Sequence, residues 1–162
     1  MNQKYNALFT PWKICNVEIP NRIVQCSMGG TSLFGWMEPS HLDKEAAYFL
    51  LNRAQDGVGL ILPGMQCIKD PILGRWLYQN DKMFKDLEVY MKEFHKTGSK
   101  LFIQLAAGMG RSMAITKPMV TLLKHPLLGK IASPIADLDY ITASASAPPN
   151  RWYEEIKSRP MT

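Results

Sequence analysis

Apolar and polar positions along this chain switch between two periods. Residues 12–19 read as a hairpin that turns at Cys15 and Asn16, and residues 23–28 read as a first core strand. A loop with adjacent glycines follows, carrying an exposed-looking Phe34, Gly35 and Trp36. Leu42, Ala46, Phe49, Leu50 and Ala54 then recur at helical spacing, with Ser40 as the expected N-cap, Asp43 completing a weak capping box, and Gly57 closing the helix. Residues 58–62 form a continuous apolar run before Pro63 and Gly64, as expected of a strand buried on both faces of a parallel sheet. A second helix is expected over residues 81–96, with Phe84, Leu87, Met91 and Phe94 on its apolar face and Gly98 at its end. Residues 100–105 are expected to form a third strand.

The order hairpin, β, α, β, α, β implies right-handed crossovers and a parallel sheet. Two architectures answer to it, a doubly wound sheet and a (β/α)₈ barrel, and the pattern does not choose. Beyond Arg111 the periodicity fails, and six prolines fall between Pro118 and Pro160. Residues 119–123 and 126–131 are expected to form one short helix or two helical turns. A connection of this length is unusual inside a compact domain.

Composition narrows the class. The chain has 162 residues, 46% hydrophobic and 20% charged, enough for one domain with a real core and unlike a disordered chain. No apolar run approaches the roughly 18 residues of a membrane span, and the N-terminus lacks a signal-peptide core, so a cytoplasmic location is expected. The net charge of +5 is scattered rather than clustered, which argues against nucleic acid. Cys15, Cys26 and Cys67 are far apart and form no C-x-x-C pair, so buried or semi-buried free thiols are expected. His41, His95 and His125 read as surface histidines, and the ten methionines as core filling.

Candidate chemistry lies at the expected strand ends. Ser27, Met28 and Gly29 end the first strand, Gly64 follows the second, and Gln104 lies near the end of the third. Read as residues alone, the glycines serve equally as turns. Gln104 stands out, because a buried amide without partners costs about 1–3 kcal/mol; its plainer reading is a surface-facing or loop-bonded side chain. The Gly-x-Gly at Gly108 and Gly110 is a weak phosphate signal.

Several stretches carry a resemblance. They are Leu8, Phe9, Pro11 and Ile14, the run from Asn21 to Gly30, the segment from Gln104 to Arg111, the stretch from Thr142 to Trp152, and Arg159 to Thr162. With these the chain resembles, from Tyr5 to Thr162, the N-terminal part of the old yellow enzyme family of NADH:flavin oxidoreductases. Ala107, standing where better-known ene-reductases carry histidine, makes it most similar to the 2,4-dienoyl-CoA reductase and bile-acid-inducible branch. The resemblance selects the barrel over the doubly wound sheet. It implies an α/β chain whose residues 1–162 are the N-terminal portion of one FMN-binding (β/α)₈ TIM barrel, with a floor hairpin and about three β/α units, truncated before strand four.

By the resemblance, Ser27, Met28 and Gly29 touch FMN, Gly64 packs close to it, and Gln104 meets the flavin N3–H and carbonyl edge. Gly29 takes the place of a side chain that often tunes the flavin, Arg111 is a loop anchor, and Thr162 caps a helix that does not follow. The implied reaction is hydride transfer from NAD(P)H through FMN to an activated alkene such as an enoyl thioester or enone. The family's substrate-holding pair, proton-donating tyrosine, phosphate site and iron–sulfur cysteines belong to later segments, so no catalytic or metal-binding residue is expected here. The chain alone is therefore expected to be inactive and to self-associate, and a complementary C-terminal chain is what the rival split-gene reading would need. Rival readings are a truncated or split-gene product without catalysis and an unrelated doubly wound nucleotide-binding domain. The partners expected are a small-molecule substrate and that chain, and neither nucleic acid nor membrane.

Overall fold

A computed structural model describes residues 3–35, 38–71, 74–132, 135 and 137–161. Trp36 and Thr162, each given a place above, lie outside the described residues. The chain divides into two compact units, one of residues 1–36, 40–66 and 81–104, the other of residues 37–39, 67–80 and 105–162.

The first unit opens with a 3₁₀ helix, Gln3–Phe9, and the antiparallel pair β1 (Trp12–Ile14) and β2 (Val17–Ile19). The turn falls at Cys15, whose φ of 51° is left-handed and rare for a side chain other than glycine. Asn21 fastens this hairpin to the rest of the unit. Its carbonyl accepts from Trp12 Nε1 at 2.8 Å, its Nδ2 donates to the Gly57 carbonyl at 2.8 Å, and its Oδ1 accepts the Ile23 N–H at 3.0 Å. A Cβ on Gly59 would lie 2.9 Å from the Asn21 carbonyl oxygen, so a side chain there would push the two segments apart.

Next come β3 (Val24–Gln25), α1 (Lys44–Gln55), β4 (Leu60–Ile61), β5 (Gln66–Cys67), α2 (Asp81–His95) and β6 (Lys100–Leu101). Strands β3, β4 and β6 form a parallel sheet in that order, with Val24 beside Leu60 and Leu60 beside Lys100. The expected α/β alternation is present, but the strands are shorter than the apolar runs. Flanking ladder bonds run from Leu62 N–H to Gln25 and from Phe102 N–H to Ile61. Past Phe102 the chain leaves β4, and the Gln104 carbonyl pairs with the Gln66 N–H at 2.8 Å.

Three local expectations are corrected. Asp43, not Ser40, caps α1, its carboxylate accepting from the N–H groups of Glu45 and Ala46 at 3.0 Å. Phe34 is buried, because the loop folds back on the start of α1: Leu33 accepts from the Asp43 N–H at 2.8 Å and Phe34 from His41 N–H at 3.3 Å. Helix α2 buries Met83 and Phe94, leaves Leu87 and Met91 half-covered, and exposes Phe84. Helix α1 buries Ala46, Ala47, Leu50 and Ala54, while Phe49 is exposed. Gly57 and Gly98, with φ of +90° and +79°, end their helices in the left-handed conformation that glycine tolerates.

In the second unit the stretch without periodicity is ordered by long-range contacts. It contains β7 (Leu105–Ala106), α3 (Lys117–Lys124), α4 (Pro126–Ala132) and α5 (Leu138–Ile141), so two helices, α3 and α4, stand where one short helix or two helical turns were expected. The break falls at Pro126, which has no N–H to continue α3. Met113, Ile115, Ile141 and Ile156 form its core. A Cβ on Gly108 would collide with the Tyr140 carbonyl, and Met109 N–H donates to the Ile141 carbonyl at 2.7 Å. The Arg111 carbonyl accepts from Arg151 N–H at 3.0 Å and from Asn150 Nδ2 at 3.3 Å. No helix among the described residues is long and apolar enough to cross a membrane.

Candidate functional site

All five candidate residues fall in the first unit, past the C-terminal ends of its parallel strands. Two of the three strand-end segments are locked together at Gly64. A Cβ there would lie 2.7 Å from both the Met28 carbonyl oxygen and the Ser32 nitrogen, so only glycine lets the segments approach this closely. The Gly64 N–H donates to the Thr31 carbonyl and hydroxyl, each at 3.0 Å, and that hydroxyl donates to the Met28 carbonyl at 2.9 Å. Thr31 thus spends both hydrogen-bonding directions of its hydroxyl on joining the end of β3 to the end of β4.

The third segment is joined one residue further on. Ser32 Oγ lies 2.8 Å from Gln66 Oε1 and 2.9 Å from the Gly35 carbonyl, and the Gln66 N–H holds the Gln104 carbonyl. Thr31, Ser32 and Gln66 are all buried. None stood out in the sequence. Their one signal is a pair of hydroxyls directly after two glycines, and nothing local pairs position 32 with position 66.

Gln104 itself corrects an expectation. Its residue is exposed, so no burial penalty attaches to its amide, and the carboxamide has no hydrogen-bond partner among the described residues. The Ser27 hydroxyl is likewise without a partner, as are the backbone groups of Ser27 and Gly29. A Cβ on Gly29 would meet nothing within 4 Å. The Met28 side chain is exposed. Met28 and Gly64 are therefore in contact, Gln104 is tied to them through Gln66 and Ser32, and Ser27 and Gly29 stand free beside them.

Alternation along β3 places Val24, Cys26 and Met28 on one face, and all three are exposed. Ser99 Oγ donates to the Val58 carbonyl at 2.7 Å and to Ala54 of α1 at 3.3 Å. Ser99 thus faces α1, and by alternation Leu101 shares its face while Lys100 and Phe102 lie on the other.

The cysteines depart in part from expectation: Cys15 and Cys26 are exposed, and Cys67 is buried. Burial, and then the nearby Asp70 charge, push the Cys67 thiol above its ordinary value, which suits an inert thiol rather than a nucleophile. In the second unit Lys69 Nζ lies 2.6 Å from Asp137 Oδ2 and sits over the rings of Trp76 and Tyr140 at 5.4 and 5.6 Å. Burial raises the Asp137 carboxyl, but the Lys69 hydrogen bond, the Tyr140 N–H and the charges of Lys69 and Arg159 outweigh it and hold the group below the usual range. The Lys69 ammonium and the Asp137 carboxylate pair with each other, and the Tyr140 hydroxyl accepts from the Lys69 N–H at 3.1 Å, so the cluster braces the unit. Among the described residues no group of three or more His, Cys, Asp or Glu is placed to hold a metal ion.

No protein-family model matches the chain. Over 118 residues it is 32% identical to the cinnamate reductase of Clostridium sporogenes, a match covering 68% of this chain and 17% of that protein. The chain thus spans about a sixth of the curated relative it matches. Its fold is similar to part of a 2-naphthoyl-CoA reductase solved with 2-naphthoyl-CoA, with TM-score 0.60 and 16% identity over 98% of this chain and 23% of that one. It is also similar to part of the Old Yellow Enzyme from a Pichia species, with TM-score 0.59 and 20% identity over 96% of this chain and 38% of that one. The likenesses of sequence and fold together support the old yellow enzyme family of NADH:flavin oxidoreductases as the one this chain resembles.

Proposed function

We propose that this chain is the N-terminal part of an FMN-dependent NAD(P)H oxidoreductase that reduces an activated alkene, of the dienoyl-CoA reductase kind within its family. In this reading β3, β4 and β6 are the first wall strands of a (β/α)₈ barrel, whose sites lie at strand C-termini. The observation that carries it is the set of polar groups at those ends that have no partner among the described residues: the Gln104 carboxamide, the Ser27 hydroxyl and the backbone of Ser27 and Gly29. They stand beside a loop packed so closely that Gly64 admits no Cβ.

This donor set fits a flavin. A carboxamide donates and accepts at once, matching a ring edge that alternates N–H and carbonyl. Gly29 leaves open space where a flat ring needs it. Bound FMN would supply the hydride chemistry, with the protein providing orientation and electrostatics. Gln104 would hold the pyrimidine edge, and Ser27, Met28 and Gly29 would lie along the ring. The Thr31–Gly64 lock keeps these segments together. The cinnamate reductase match supports an alkene conjugated to a carboxylate as the substrate class.

The phosphate and substrate sites would come from further polypeptide, whether continuous with this chain or a complementary one. The exposed face of Val24, Cys26 and Met28 favours such a covering. The test is to express residues 1–162 alone and with a polypeptide carrying the later strands, then record flavin absorbance and anaerobic reduction by NADH or NADPH. Bound FMN and reoxidation by cinnamate or an enoyl thioester only in the complemented protein support the reading. A complemented, folded protein that binds no FMN overturns it.

A further inference from the structure

We propose that Gln66 is a positioning residue that sets where the Gln104 carboxamide stands, an inference resting on the flavin reading of Gln104 given above. Gln104 lies beyond the ladder that β6 makes with β4, which ends at the bond from Phe102 to Ile61. Its side chain is exposed and has no partner among the described residues, so its backbone must be fixed from elsewhere. That anchor is Gln66, through its N–H to the Gln104 carbonyl at 2.8 Å.

Gln66 is itself held. It is 5% exposed, and its side-chain oxygen lies 2.8 Å from the hydroxyl of Ser32, which is 7% exposed. The hydroxyl's single proton faces two acceptors, since the Gly35 carbonyl is 2.9 Å away. A carboxamide turned by half a rotation donates to Ser32 while Ser32 serves Gly35, so the link holds in either orientation. Ser32 follows Thr31, which locks Gly64. The segments bearing Met28, Gly64 and Gln104 are thereby tied at Thr31, Ser32 and Gln66. A hydrogen bond to a ring edge weakens steeply with misalignment, so a loosened Gln104 peptide degrades recognition without touching the ligand.

The experiment compares Gln66→Met, Ser32→Ala, Gln104→Ala and the double variant Gln66→Met/Gln104→Ala in the complemented, flavin-loaded protein. Readouts are the FMN dissociation constant by fluorescence titration and the flavin midpoint potential. Gln66→Met and Ser32→Ala should each raise the dissociation constant about fivefold, in line with one net hydrogen bond, and shift the potential in the direction that Gln104→Ala shifts it. Gln66→Met should add nothing further in the Gln104→Ala background. If Gln104→Ala changes neither readout, the flavin role of Gln104 falls and this inference with it. If Gln104→Ala acts but Gln66→Met and Ser32→Ala do not, or if Gln66→Met acts equally in the Gln104→Ala background, only the positioning role is overturned. Should Gln66→Met fail to fold, Ser32→Ala, which trims a single hydroxyl, decides alone.

Discussion

Gly64 has no room for a side chain against Met28: a Cβ there would lie 2.7 Å from the Met28 carbonyl oxygen. The contact is with backbone, which cannot rotate aside as a flexible side chain can. Gly64→Ala should therefore destabilise the first unit by on the order of 1–3 kcal/mol, the range for overpacking. Urea unfolding of the variant against the parent measures it. A midpoint unchanged by Gly64→Ala would contradict the observed packing.

Gly29 predicts the opposite pair of outcomes. A Cβ there meets nothing within 4 Å, so Gly29→Ala should leave stability within about 0.5 kcal/mol. Flavin affinity should nevertheless fall, because the added methyl enters the space assigned to the ring. FMN titration beside thermal unfolding separates the two effects, and tight FMN binding by the variant would remove Gly29 from the site.

Asn21 should prove structural. Asn21→Ala removes the Nδ2 bond to Gly57 and the Oδ1 bond from Ile23, and is expected to cost about 1–3 kcal/mol. Asn21→Asp keeps the acceptor for Ile23 but sets a carboxylate oxygen against the Gly57 carbonyl, so its loss of melting temperature at neutral pH should be no smaller than that of Asn21→Ala. A melting temperature unchanged in Asn21→Ala would remove the fastening role.

The Lys69–Asp137 pair carries a pH dependence whose sign is determined. Asp137 is held below its ordinary value in the folded state, so its contribution is fully present above the unfolded carboxylate value of about 3.9 and is lost as pH falls through the lower folded value. At neutral pH Asp137→Asn should weaken protection of the Tyr140 amide, whose N–H donates to Asp137 Oδ1 at 3.0 Å. The gap between parent and variant should close below about pH 4. Hydrogen exchange at Tyr140 across that range is the measurement, and a gap that persists in strong acid would separate the protection from the carboxylate charge.

Some of this protein was legible from local pattern. The hairpin turning at Cys15 and Asn16, the alternation of strands and helices, and the helix ends at Gly57 and Gly98 follow from period and backbone conformation, which neighbouring residues decide between themselves. The strand ends were legible only for β4, which stops at Ile61 just before Pro63; β3 and β6 stop at Gln25 and Leu101, short of the runs that reach Met28 and Leu105. What only the tertiary structure decided lies in contacts between distant residues. Asp43 caps α1 in place of Ser40 in a chain whose Leu33 carbonyl takes the Asp43 N–H, and the same fold-back buries Phe34. Gln104 is exposed because the chain leaves β4 before reaching it. The Ser32–Gln66 link spans 34 positions, and the ties of Gly108 and Arg111 to residues 140–151 order a stretch that has no period of its own. A period records what each residue shows to its own helix or strand; it holds no record of which carbonyl a distant hydroxyl will find once the chain has closed on itself.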